Sequence, residues 1–120
     1  MNSRKALLEA VDELERLLRQ SAELVDGLDG HRKQGIEFRR QIAEKVATIG
    51  SLGEQLFEAA EQVPFRREFS HMRSALAYHQ ASWPIVSIKL DDPNYRASVQ
   101  SLRDANRSFI SWVRRALANT

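Results

Sequence analysis

Four stretches of the chain carry apolar residues in alternating steps of four and three. That repeat constrains the fold more than any other feature. The first stripe is Leu7, Val11, Leu14, Leu18, Ser21, Val25 and Leu28. The second is Ile42, Val46, Ile49, Gly53, Leu56, Ala60 and Val63. The third is Phe65, Phe69, Met72, Leu76, His79, Trp83, Val86 and Leu90. The fourth is Tyr95, Val99, Leu102, Asn106, Phe109, Val113 and Ala116. Two turns of an α-helix return to nearly the same face, so each stripe reads as the buried side of one helix. Second rows at Leu17 and Leu24, Ala43 and Phe57, Ala75, and Ala105 and Trp112 widen those faces. A half-buried strand would alternate with period two, and no segment does.

Glycine and proline punctuate the stripes. "DGLDGHRKQG" (26–35) is a loop with three glycines. In "QVPF" Pro64 reads as a first-turn helix residue, and "DDPNY" offers Asp92 as an N-cap followed by Pro93. These marks predict helices over approximately 3–26, 36–62, 64–90 and 93–118. Short connections place consecutive helices antiparallel. The expected fold is therefore all-α, an up-down-up-down four-helix bundle with a heptad-patterned core, as one domain over 1–120.

Two positions test that register. Pro84 removes the bond its N–H would make to the Gln80 carbonyl, yet the stripe continues from Trp83 to Val86 and Leu90. That continuity predicts a kinked helix rather than a stop. Gly50 and Gly53 either break the second helix or let a neighbour approach closely. The unbroken stripe predicts close approach.

Composition narrows the function classes. The chain is 42% apolar and 28% charged, an ordinary balance for a globular domain. It has no cysteine, which excludes disulfides, thiolate catalysis and cysteine-ligated zinc, and suits a reducing compartment. No apolar run approaches the roughly 20 residues of a membrane span. "MNSRKALLEAVDELERLL" has charges throughout, unlike a signal peptide. The expectation is a cytoplasmic protein that does not enter membranes. Eighteen basic and 16 acidic residues leave a net charge of +2, too balanced to predict nucleic-acid binding.

Polar residues inside the stripes are the first candidate site. His79 lies between Leu76 and Trp83, and counting back from a turn at Asp92 sets it level with Asn106. A buried imidazole and a buried amide both need partners. The simplest expectation is that they bond to each other and set the register of the bundle. The alternative is a polar core pocket for a small ligand, formed by His79, Asn106 and Trp83.

His71 lies about 120° from the middle of its stripe on a helical wheel, so it should face solvent. With Glu68 it forms a Glu-x-x-His, but no second copy exists and Phe69 and Met72 own the core face, so no metal or other cofactor is expected. "HMRSAL" (71–76) resembles, over six residues, the phosphoacceptor segment of histidine-containing phosphotransfer domains. In that family the histidine is followed by a basic residue and, one turn on, a glycine. Here Arg73 comes one place early and Ala75 stands where the glycine would be. The resemblance implies His71 as a phosphoacceptor. General acid–base catalysis would need an orienting partner such as Glu68 and a cleft beside it.

The third candidate is a basic end. "FRREF" (65–69) and "WVRR" (112–115) fall at one end of an up-down bundle with the start of the first helix. That end gathers Arg4, Lys5, Arg66, Arg67, Arg114 and Arg115. Arg114 and Arg115 suit a helix C-terminus. Arg66 and Arg67 sit, by these boundaries, at a helix N-terminus, where cations are disfavoured. Glu61 and Glu68, or an acidic partner, would have to offset them.

With no nucleotide loop, nucleophile motif or paired catalytic carboxylates, the sequence predicts a non-enzymatic binding or regulatory adaptor. Its partner would be another protein, an acidic one if the basic end is the contact. Heptads also permit a homodimer through helices 1 and 4. A phosphotransfer relay through His71 and a ligand sensor at His79 and Asn106 are the alternatives.

Overall fold

Helix-forming residues fill four segments, and each becomes an α-helix, the second starting at Arg32, inside the stretch 26–35 expected as a loop. The computed structural model describes residues 3–25, 32–85, 88 and 91–118. The helices are α1 (Ser3–Val25), α2 (Arg32–Leu56), α3 (Ala59–Ser82) and α4 (Pro93–Ala118). No strand occurs among the described residues. Leu28, Val86 and Leu90 of the predicted stripes lie outside the described residues, as does the side chain of Val25.

The helices form an antiparallel four-helix bundle of two hairpins. α1 packs chiefly on α2 and α3 chiefly on α4. Leu7, Val11, Leu14, Ile49, Phe65, Met72, Phe109 and Val113 are the largest fully buried side chains, and all of them stand on the stripes. Outward faces carry i,i+3 and i,i+4 ion pairs, such as Glu13 with Arg16 and Arg40 with both Glu37 and Glu44. Such exposed pairs are screened by water and salt and add little to stability.

The boundary between α2 and α3 differs from the sequence expectation. α2 stops at Leu56, and α3 begins at Ala59 after an extended Glu58 (φ −81°, ψ 171°). The break turns Phe57 into the core, where its ring lies 5.1 Å from Phe65 and 5.3 Å from Trp112. Ala60 and Val63, expected on the buried stripe, are exposed instead, Val63 at 68%. Burying an aromatic ring in an aromatic cluster outweighs a valine and an alanine. Gln62 secures the joint: its Nε2 donates to the Phe57 carbonyl (2.6 Å) and the Glu54 carbonyl (3.0 Å), which are end groups of α2. Pro64 is thus the sixth residue of α3, not a first-turn residue.

Gly50 and Gly53 do run inside one continuous helix, as the stripe predicts. A Cβ on Gly53 would fall within 2.5 Å of Cε1 and Cε2 of Phe65, and one on Gly50 would come 2.9 Å from Cζ of Phe69. The phenyl rings of α3 rest on the bare backbone of α2. With Phe109 and Trp112 these rings form one continuous aromatic cluster, with centroids 5.1–6.2 Å apart.

α3 ends at Ser82 rather than kinking through Pro84. The residue before a proline is driven out of the helical region by the proline ring. Trp83 accordingly adopts φ −129°, ψ 71°, and its N–H makes the last bond, to the His79 carbonyl (2.9 Å). α4 starts as predicted: the Asp92 carboxylate accepts the Asn94 N–H (2.8 Å), with Pro93 as first helical residue.

Candidate functional site

The early end of α3 shifts α4 along its neighbour. Phe69 packs on Phe109 (5.7 Å), which brings Asn106, three residues earlier, level with Met72 rather than His79. His79 meets the first turns of α4 instead. Its Nδ1 shares a 2.7 Å hydrogen bond with Ser98 Oγ, and its ring lies 5.8 Å from Tyr95. The expected His79–Asn106 bond is therefore not formed. His79 has found a different partner, and Oδ1 of Asn106 is buried with none. Asn106 is only 7% exposed and His79 only 8%.

Both residues nevertheless face the same space. A cavity of about 90 Å³ lies among all four helices and the α3–α4 connection. Leu18 and Ser21 of α1, Gly35, Arg39 and Ile42 of α2, Leu76, His79 and Gln80 of α3, and Tyr95, Val99, Leu102, Arg103 and Asn106 of α4 line it. Ile85 and Ile88 of the connection also line it. For scale, a cavity of roughly 150 Å³ accepts benzene.

Arg39 is the residue that inspection of the stripes overlooked. One NH2 group donates to the Trp83 carbonyl (2.7 Å), tying α2 to the end of α3. Its guanidinium is partly buried and makes no ion pair among the described residues. Burial pulls its pKa below the usual arginine value. The signal was present: continuing the second stripe backward from Ile42 by three and then four residues lands on Arg39 and Gly35. His79 is also pushed below its ordinary pKa, first by burial and then by the positive charge of Arg39. It is neutral at neutral pH. Trp83, expected in the pocket, does not line it; its ring stands edge-on to Tyr95 at 5.2 Å.

His71 is exposed, as expected from its wheel position. It opens onto a broad groove between α3 and α4, about 650 Å³ in volume, lined by Ser74, Ala75, Tyr78, Ser82, Trp83, Asn94, Ser98, Ser101 and Leu102. Glu68 does not orient it; Glu68 accepts a hydrogen bond from Ser108 (3.4 Å). Ser98 and Leu102 belong to both the groove and the cavity, and so form the wall between them. Among the described residues, no three His, Asp or Glu side chains gather as a metal would require.

The basic residues come together at the end opposite the cavity, where α1 and α3 begin and α2 and α4 finish. Most are engaged by the chain itself. Arg4 donates to the Leu117 carbonyl. Arg66 forms a two-pronged pair with Glu54 (2.9 and 2.7 Å). Arg114 reaches Asp12 (2.8 Å) and Glu15 (3.2 Å), joining α4 to α1. Lys5 lies 4.0 Å from Glu9. The anomaly at Arg66 and Arg67 dissolves, because α3 starts at Ala59 and both lie beyond its first turn. Glu54 offsets Arg66, not Glu61 or Glu68. Arg67 and Arg115 make no ion pair among the described residues.

No protein-family model, curated protein or solved structure matches the chain. No helix among the described residues is long and apolar enough to cross a membrane.

Proposed function

We propose that this protein is a binding module without a reaction of its own, and that it responds to a small molecule held in the cavity of the bundle. One observation carries the reading. Asn106 is almost wholly buried at the cavity wall with its side-chain oxygen unpaired. Leaving such a group unsatisfied costs about 1–3 kcal/mol, a cost a ligand can remove. Arg39 links that space to the Trp83 carbonyl, so occupancy can be felt at the α3–α4 connection and, through Ser98, at the groove. A regulatory partner that docks on α3 and α4 would sense it there. The basic end supports docking less, since Arg4, Arg66 and Arg114 already have partners within the chain.

The test is a thermal-shift screen of small polar molecules against the wild type and Asn106→Leu. A saturable rise in Tm for the wild type that vanishes in the variant supports the reading. Equal shifts in both proteins, or none in the wild type, would remove it.

A second reading rests on His71. Its exposure beside Ser74 and Ala75, on an open groove, supplies the access a phosphoryl donor would need. Acid-labile phosphate on the wild type but not on His71→Gln, after incubation with acetyl phosphate, is the expected result. No labelling of either sinks the relay.

A further inference from the structure

The charge lining the cavity is one-sided. Its lining includes the half-buried Arg39 and the exposed Arg103 beside a neutral His79, and its described lining residues include no Asp or Glu. Arg39 is the critical one. It is partly buried and has five N–H donors, of which the Trp83 carbonyl takes one group. A half-buried cation with no carboxylate partner among the described residues gains from a ligand anion, by charge and by paired hydrogen bonds.

Asn106 makes a different demand. Its Oδ1 is an acceptor and needs a donor. A bare anion has none to offer. The ligand must therefore bring an O–H or N–H in addition to its negative group. At about 90 Å³, against the roughly 150 Å³ that accepts benzene, the cavity suits a ligand of a handful of heavy atoms. Leu18, Ile42, Leu76, Val99 and Leu102 supply apolar wall for a short carbon skeleton.

We propose that the cavity binds a small carboxylate that also carries a hydrogen-bond donor, such as a short hydroxy acid, with Arg39 holding the carboxylate and Asn106 accepting from the donor. This rests on the cavity being a ligand site, as argued above, and adds the chemistry of the ligand.

Calorimetric titration of the full chain with lactate, glycolate, acetate and neutral lactamide, at matched ionic strength, tests it. Lactate or glycolate should bind saturably, and acetate, which lacks the donor, about tenfold more weakly or worse. Lactamide, which lacks the charge, should lose at least as much. Arg39→Met should abolish carboxylate binding, while Arg39→Lys, which keeps the charge and a donor to Trp83, should retain part of it and guards against misfolding. Asn106→Leu should reduce lactate to the level of acetate. If lactamide binds as well as lactate and Arg39→Met changes nothing, the carboxylate assignment is overturned while the cavity remains a ligand site. If none of the four binds but neutral or cationic molecules do in the thermal-shift screen, the assignment alone again fails. If nothing binds in either experiment, both it and the ligand-site reading fall.

Discussion

Gly53 lies directly beneath the ring of Phe65, so close that a Cβ there would sit inside the ring's van der Waals envelope. Alanine for glycine in a helix interior ordinarily stabilises by about 1 kcal/mol. Here the sign should reverse. Phe65 is fully buried among Phe57, Phe69, Phe109 and Trp112 and has nowhere to move. Gly53→Ala should destabilise by about 1–3 kcal/mol in urea unfolding. Gly50→Ala, which meets only the far edge of the half-buried Phe69 ring, should cost far less. Equal effects at both positions would contradict this packing.

His79 should make stability depend on pH. Its folded pKa lies below the ordinary value of 6.5 because of burial and the charge of Arg39. The unfolded chain therefore takes up this proton first, and folding stability rises with pH across that interval. Stability present above about pH 6.5 should be lost as pH falls toward the lowered folded pKa. Tyr95 and Ser98 of α4 face the imidazole alongside Arg39 of α2. His79→Gln should flatten the difference between melts at pH 7.5 and pH 5.5. An unchanged slope would mean that His79 protonates freely in the fold.

Asn106→Leu should raise stability. The oxygen of Asn106 is buried and unpaired, so an apolar side chain of similar shape relieves a penalty of about 1–3 kcal/mol. A higher Tm, coupled to lost ligand response, is the expected pattern of a residue kept for function at a cost in stability. A lower Tm would show that the amide is satisfied in solution.

Arg66→Ala and Arg114→Ala should each leave stability almost unchanged, because both guanidiniums are substantially exposed and their ion pairs are screened by salt. Denaturant midpoints at low and high salt should converge for wild type and variant. A larger, salt-independent loss would place these arginines in packing rather than in electrostatics.

The heptad stripes determined that this chain makes four helices and which face of each is apolar, and the short connections determined that the pairing is antiparallel. A periodicity of three and four is a local property, and Leu7, Val11, Ile49, Met72 and Phe109 are buried where it predicted. Asp92 and Pro93 likewise started α4 by a contact two residues long. His71 on an outward face was legible for the same reason.

Tertiary structure decided the ends of the helices and hence their register. Pro84 drives Trp83 out of the helical region, and Arg39 from another helix fixes that end by bonding its carbonyl. Whether α2 continues past Leu56 depends on the aromatic site waiting for Phe57. Both outcomes are held in place by residues distant in sequence. Together they place His79 against Ser98, leave Asn106 without a partner, and open the cavity between them. A repeat specifies faces, but the level at which two faces meet follows from where each helix stops, and those stops are held in place by contacts made only once the helices have packed.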